Sequence, residues 1–210
     1  MVLLGDSIFD NKSLCGRRAR RDGAGVQAAL PGWVVSFGAV DGSTTADVKR
    51  QIEGLIEGAT HLVISSGGND ALQQKKILQA SARSVGEALD KLSKVRASFE
   101  KTYAEMLSAA TGTKLPVTVC TIYDSNDPDA DQRRIANTAL AVFNDVITRN
   151  AFARGLPLID LRLMFNSPAD YANPIEPSVK GGAKIARVIA EVVTTHDFAM
   201  RRSEVYGGEA

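Results

Sequence analysis

The sequence predicts a three-layer, flavodoxin-like α/β/α domain with a central five-stranded parallel sheet. Three observations carry this. Five short, nearly continuous apolar runs alternate with longer stretches of helical periodicity; small-residue loops follow the runs; and no internal repeat or linker interrupts the pattern. Short continuous apolar runs are what strands covered on both faces look like. Strands separated by helices imply right-handed crossovers between parallel neighbours.

The elements follow in order. Residues 2–4 form a strand closed by Gly5, and 25–30 a short, weak helix. A second strand over 33–37 lies between Pro31-Gly32 and Gly38. The helix over 45–56 opens at Thr44, a residue type suited to an N-cap. The third strand, 62–65, runs into Gly67-Gly68. Residues 84–110 carry Val85, Leu89, Leu92, Val95, Phe99, Tyr103, Met106 and Leu107 at helical spacing. A fourth strand covers 117–122, a helix 129–154, and a short fifth strand 158–161. The last helix, 178–193, begins at Ser178 as its N-cap and aligns Ile185, Val188, Ile189, Val192 and Val193. One domain therefore spans residues 1–200, and the polar, Gly-containing segment 201–210 is expected to fray.

Composition narrows the function. The chain has 210 residues, with 25 Lys+Arg against 24 Asp+Glu, a net charge of +1 that argues against a general nucleic-acid binder. No apolar run approaches the ~20 residues of a membrane span. The opening MVLLGDSIFDN has neither a basic n-region nor a signal-length apolar core, so a cytoplasmic protein is expected. Cys15 and Cys120 lie far apart without metal-ligand spacing and read as reduced thiols, so neither a metal nor a cofactor is implied. Two histidines, His61 and His196, bound any histidine-based mechanism.

Several weaker signals resolve into structure. Arg17, Arg18, Arg20 and Arg21 form a basic run without interleaved aromatics, which fits a solvated loop or one that draws an anionic substrate to the site mouth. Gly23-Ala24-Gly25 with Ala28 imitates a dinucleotide fingerprint but follows arginines rather than a strand. Asp124, Asp127, Asp129 and Asp131 lack the glycine and bidentate glutamate of a calcium loop and read as helix-start acids.

In parallel sheets ligands bind beyond the carboxyl ends of the strands. Gly5-Asp6-Ser7 follows the first strand, Asp41-Gly42-Ser43-Thr44-Thr45 the second, and Gly67-Gly68-Asn69-Asp70 the third; Asn173-Pro174-Ile175-Glu176-Pro177-Ser178 precedes the last helix. With these blocks in this order the chain resembles the SGNH/GDSL hydrolase family, over most of its length. The resemblance implies that Ser7 is the nucleophile and that the Ser7 and Gly42 amides and the Asn69 side-chain amide form an oxyanion hole. Three neutral donors aimed at one point would stabilise a tetrahedral oxyanion. It implies a small-molecule ester as substrate.

The fourth block departs from the family pattern, Asp-x-x-His followed by Pro. Aligned on Ile-x-Pro-Ser and the following Gly-x-x-Lys-Ile-Ala, the chain has Asn173 for the aspartate and Glu176 for the histidine. His61 stands before the third strand, opposite the motif loops, and His196 about 25–30 Å along the last helix from its start at ~1.5 Å per residue. Two readings remain. Glu176 is the general base for Ser7, with Asn173 holding it and Asp10 as the neighbouring carboxylate that raises its basicity; or the chain is a weak or inactive module binding an acylated or carbohydrate ligand. Asp6 and Asp70 are expected to pin the loops.

Overall fold

The computed structural model describes residues 1–10 and 24–208. Along the chain run β1 (Val2–Gly5), α1 (Ala24–Ala29), β2 (Ser36–Phe37), α2 (Thr45–Glu53), β3 (Leu62–Ser65), α3 (Gly68–Gln73), α4 (Val85–Gly112), β4 (Val117–Cys120) and α5 (Ala130–Ala153). They continue through β5 (Leu158–Ile159), α6 (Leu161–Met164), β6 (Tyr171–Asn173), β7 (Glu176–Pro177), α7 (Val179–Thr195) and β8 (Val205–Tyr206). Cys15 and the arginines at 17, 18, 20 and 21 lie outside the described residues, as does Gly23 of the fingerprint-like run.

Six parallel strands form the sheet in the order β2-β1-β3-β4-β5-β8. The first five follow the flavodoxin-like order, whose direction of winding reverses between β1 and β3. Because side chains alternate across a strand, the apolar runs serve two cores. Leu3, Val63, Cys120 and Ile159 pack with Val26 of α1 and Ile185, Val188, Ile189 and Val192 of α7. Leu4, Leu62, Ile64, Val119 and Leu158 face the other layer, with Val48 of α2, Phe99 and Tyr103 of α4 and Phe143 and Ile147 of α5. Cys120 is buried in the first core, and burial pushes its thiol well above the usual range.

The helix starts are capped as residue chemistry dictates. The Thr44 amide and hydroxyl both donate to Asp47 Oδ2 at 2.8 Å, and Ser178 Oγ accepts from Gly181 N at 3.2 Å. Asp129 Oδ1 accepts from the Asp131 and Gln132 amides, the role expected of helix-start acids.

Several short features differ from the sequence reading. β2 is confined to Ser36–Phe37, and helices cover Gly68–Gln73 and Leu161–Met164, the second cutting the expected fifth strand to Leu158–Ile159. Two further differences concern strands. The sheet has a sixth strand, β8, inside the segment expected to fray. Its carbonyls at Glu204 and Tyr206 accept from Leu158 N at 2.9 Å and Asp160 N at 2.8 Å, giving β5 a partner on its open side. The other is the β6–β7 hairpin, which pairs Asn173 with Glu176. Neither is long enough for periodicity to mark it. Among the described residues no helix is long and apolar enough to cross a membrane.

Candidate active site

All four motif blocks gather at one end of the sheet. Gly5, the last residue of β1, opens the first. Its φ is +137°, and a Cβ there would stand 1.8 Å from the Ser65 carbonyl oxygen, so only glycine lets β1 and β3 run side by side to this point. The chain then turns tightly: the Phe9 and Asp10 amides both donate to Asp6 O at 3.1 Å, leaving Ser7 half-buried on the turn. Gln51 of α2 grips Gly5 on both sides. Its Oε1 accepts from Gly5 N and its Nε2 donates to Gly5 O, each at 2.8 Å, and Nε2 also reaches Ser43 Oγ at 3.2 Å.

The second block docks on the first through Val40 N, which donates to Gly5 O at 3.1 Å. Gly42 sits at φ +80° in the turn closed by Ser43 N donating to Val40 O at 3.1 Å. The third block is tied to the second by two side chains. Asn69 Nδ2 donates to Ser43 O at 3.0 Å, and Asp70 Oδ2 accepts from both the amide and the hydroxyl of Thr45, at 2.9 and 3.0 Å. Asp70 thus joins the second and third blocks.

The fourth block is the β6–β7 hairpin, which rests against the loop after β4. At its base the buried Asp170 accepts from Lys184 Nζ at 2.7 Å and from Ser178 N through its carbonyl at 2.8 Å. At its tip Tyr123 OH donates to Ile175 O at 2.6 Å, and Tyr171 OH donates to Asp124 O at 2.8 Å. Asn173 is exposed, and its Oδ1 accepts from Ile175 N at 3.0 Å, so that oxygen serves the hairpin turn rather than Glu176. Asp10 likewise has another task than the one expected: its Oδ2 accepts from Asp41 N at 3.0 Å and steadies the second block.

The electrostatic centre of the site is Asp6. It is 3% exposed, and Gly68 comes so close that a Cβ there would lie 3.6 Å from Asp6 Oδ2. Burial raises its carboxyl from the ordinary 3.8 to about 7, against a hydrogen bond from Ile8 N at 3.2 Å, and the charges of Asp70 and Glu176 push the same way. Asp70 is raised too, by burial first, although Thr45 opposes this. Tyr123, buried beside Glu176 and Asp6, is held well above the ordinary phenol range by burial and then by those charges. The carboxyl that feels the charge of Glu176 is therefore Asp6, which feels that of Asp70 as well.

Both histidines lie at the far end of the sheet. The His61 carbonyl accepts from Val2 N at the start of β1, and its ring lies 5.0 Å from that of Trp33. His196 follows α7 and is buried rather than on the surface; its Nδ1 contacts Glu204 Oε2 at 3.0 Å and Tyr206 OH at 3.2 Å.

The sequence reading missed the side chains that hold the loops. Asn144 of α5 repeats the grip of Gln51, with Oδ1 accepting from Ile122 N and Nδ2 donating to Ile122 O, both at 2.8 Å. Asn137 does the same to Ser125, at 2.7 and 3.3 Å. The available signal was a carboxamide on an apolar helix stripe: Gln51 beside Val48 and Ile52, Asn144 between Phe143 and Ile147.

A family model described as the GDSL-like lipase/acylhydrolase family matches residues 3–184. Among solved structures, an extracellular lipase from Streptomyces rimosus is similar at 20% identity and a TM-score of 0.63, covering 93% of this chain and 98% of that one. A GDSL-like lipase from Bacteroides thetaiotaomicron is similar at 15% identity and 0.65, over 92% and 86%. Phospholipase A1 from Streptomyces albidoflavus is similar at 18% identity and 0.61, over 93% and 98%. At these identities what is shared is the fold. No curated protein matches.

Proposed function

The chain belongs to the GDSL-like lipase/acylhydrolase family, and from that premise we infer that it hydrolyses a carboxylic ester through an acyl intermediate on Ser7, with Glu176 as general base. One observation supports the assignment of the base: the hairpin that carries Glu176 is tied by Tyr123 to the loop after β4, at the end of the sheet where Ser7 lies, and the charge of Glu176 there adds to the rise of the buried Asp6 carboxyl. The glutamate aligned with the family's histidine stands at the same end of the sheet as Ser7, while both histidines stand at the other end.

A free carboxylate is a weak base for a hydroxyl, because its pKa is near ~4.3. Asp6, whose carboxyl feels the charge of Glu176, answers this difficulty. Repulsion between Asp6 and Glu176 is mutual, so a proton arriving at either is welcomed by the charge of the other. In the first half-reaction Ser7 Oγ attacks the ester carbonyl carbon and its proton passes to the Glu176 carboxylate. The tetrahedral oxyanion takes hydrogen bonds from the Ser7 and Gly42 amides and from Asn69 Nδ2, whose other hydrogen goes to Ser43 O. Collapse breaks the bond to the alkoxide, which leaves with the proton from Glu176. In the second half-reaction water attacks the acyl-serine carbonyl, gives its proton to Glu176, and Ser7 Oγ recovers it as the acid leaves. Asn173 shapes the turn that presents Glu176, and Asp10 and Asp70 keep the second and third blocks in place.

The test is hydrolysis of p-nitrophenyl acetate from about pH 5 to about pH 9, with kcat and KM measured separately. Wild type turns over, Ser7→Ala and Glu176→Gln each remove most of the activity, and Asn69→Ala lowers kcat about 10²- to 10³-fold. Full activity in Glu176→Gln overturns the base. Absence of any Ser7-dependent turnover overturns the enzyme, leaving a non-catalytic module for an acylated or carbohydrate ligand.

A further inference from the structure

The hairpin that carries Glu176 stands outside the main sheet: β6 and β7 pair with each other. Its tip is open, with Ile175 44% exposed between exposed Pro174 and half-buried Glu176. What fixes the tip is an exchange with the loop after β4. Each segment gives one tyrosine hydroxyl to a backbone carbonyl of the other, Tyr123 to Ile175 at 2.6 Å and Tyr171 to Asp124 at 2.8 Å. Asn126 N adds a bond to Pro174 O at 2.9 Å, and Ser125 Oγ a longer one at 3.4 Å. The rings complete the joint. Tyr123 stacks on Phe165 at 4.4 Å and 11°, and Tyr171 stands edge-on to both, at 5.8 and 5.1 Å.

We propose that Tyr123 is a positioning residue for ester hydrolysis, its hydroxyl setting the reach of Glu176 toward Ser7 by holding the Ile175 carbonyl. The proposal rests on the reading of Glu176 as the base. Two features separate Tyr123 from an ordinary core aromatic. Its acceptor belongs to the peptide unit that joins Ile175 to Glu176, so the bond orients the point from which the Glu176 side chain departs. Tyr123 also stays a neutral donor, because burial and the two nearby carboxylates hold its proton in place. Removing the hydroxyl therefore takes away one hydrogen bond and no charge. That combination has a kinetic signature: the rate changes while substrate affinity and the pH midpoint do not.

Tyr123→Phe in the full chain keeps the ring and loses the bond. A misplacement of about 1 Å can cost about 10² in rate, and one of several anchors is lost, so kcat for p-nitrophenyl acetate is expected to fall about tenfold. KM and the pH midpoint stay at wild-type values, and labelling of Ser7 by a fluorophosphonate slows by the same factor as kcat. Tyr171→Phe, whose anchor lies further along the chain from Glu176, loses less, and the double variant loses more than either. Wild-type kcat in Tyr123→Phe overturns the proposal, as does a loss confined to KM or a displaced pH midpoint. If thermal unfolding shows that Tyr123→Phe is not folded, Tyr171→Phe carries the same measurements, and wild-type kcat there overturns it. The two readings fail separately. Full activity in Glu176→Gln removes the base whatever Tyr123→Phe does; an inactive Glu176→Gln beside a fully active Tyr123→Phe removes only the positioning role.

Discussion

Replacing Asp6 by asparagine should stabilise the protein in mild alkali and do little in acid. The folded carboxyl titrates at about 7 instead of 3.8, because it is buried and has Asp70 and Glu176 as neighbours. Between those values the native state holds the proton and the unfolded chain has released it, so native protein binds more protons and stability falls as pH rises. At about 1.4 kcal/mol per pH unit, the cost of charging Asp6 in place is on the order of 4 kcal/mol once the pH passes 7. The asparagine keeps an oxygen for Ile8 N and carries no charge. Urea unfolding followed by the fluorescence of Trp33, the one tryptophan, measures both proteins at about pH 4 and about pH 8. Groups that titrate in both cancel in the difference. The variant should match wild type at the lower pH and exceed it by a few kcal/mol at the higher. Equal stability in alkali, or the same gain at both, would refute the argument from burial. Activity should move the other way if Glu176 is the base proposed above: without the charge of Asp6 it would take the Ser7 proton less readily, and kcat would fall.

Three further outcomes follow from the same geometry. Gly5→Ala forces a Cβ into the Ser65 carbonyl and should cost more than about 4 kcal/mol, so a soluble variant with native circular dichroism would contradict the β1–β3 contact. Gln51→Leu leaves Gly5 N without its side-chain partner; a loss of about 1–3 kcal/mol in urea unfolding is expected, together with a lower kcat, and an unchanged midpoint would dismiss the grip. The pair His61→Ala and His196→Ala should keep kcat, while the second loses roughly 1 kcal/mol with its bonds to Glu204 and Tyr206; loss of turnover in either folded variant would return the base to a histidine.

The layers were legible because the central strands β1, β3, β4 and β5 are buried throughout and so read as unbroken apolar runs, and because Thr44 and Ser178 mark helix starts by their chemistry. The site was legible as blocks, since four loops at strand ends need small residues and those residues stand out. Its electrostatics were not. Spacing along the chain points to Asp10 as the neighbour of Glu176, but burial, which spacing does not record, singles out Asp6: Asp6 is 3% exposed and packed close to Gly68, whereas Asp10 bonds the Asp41 amide. β8 and the β6–β7 hairpin stayed hidden because two or three residues carry no period. Tyr123 lies just past the predicted fourth strand, where nothing in the sequence marks it, and its partner is a backbone carbonyl without sequence identity.

The paired grips of Gln51, Asn137 and Asn144 bear on how the strands can end and their loops diverge at this end of the sheet. Where strands stop and their loops splay apart, peptide groups lose the neighbour that a ladder would supply, and a buried peptide group without a partner is costly. A carboxamide that offers one donor and one acceptor to the same residue stands in for a missing strand at that point. Gly5, Ile122 and Ser125 can thereby leave the sheet with their hydrogen bonds complete. The backbone that leads away from β1 and β4 toward the motif loops is thus finished off by side chains of the helices behind it.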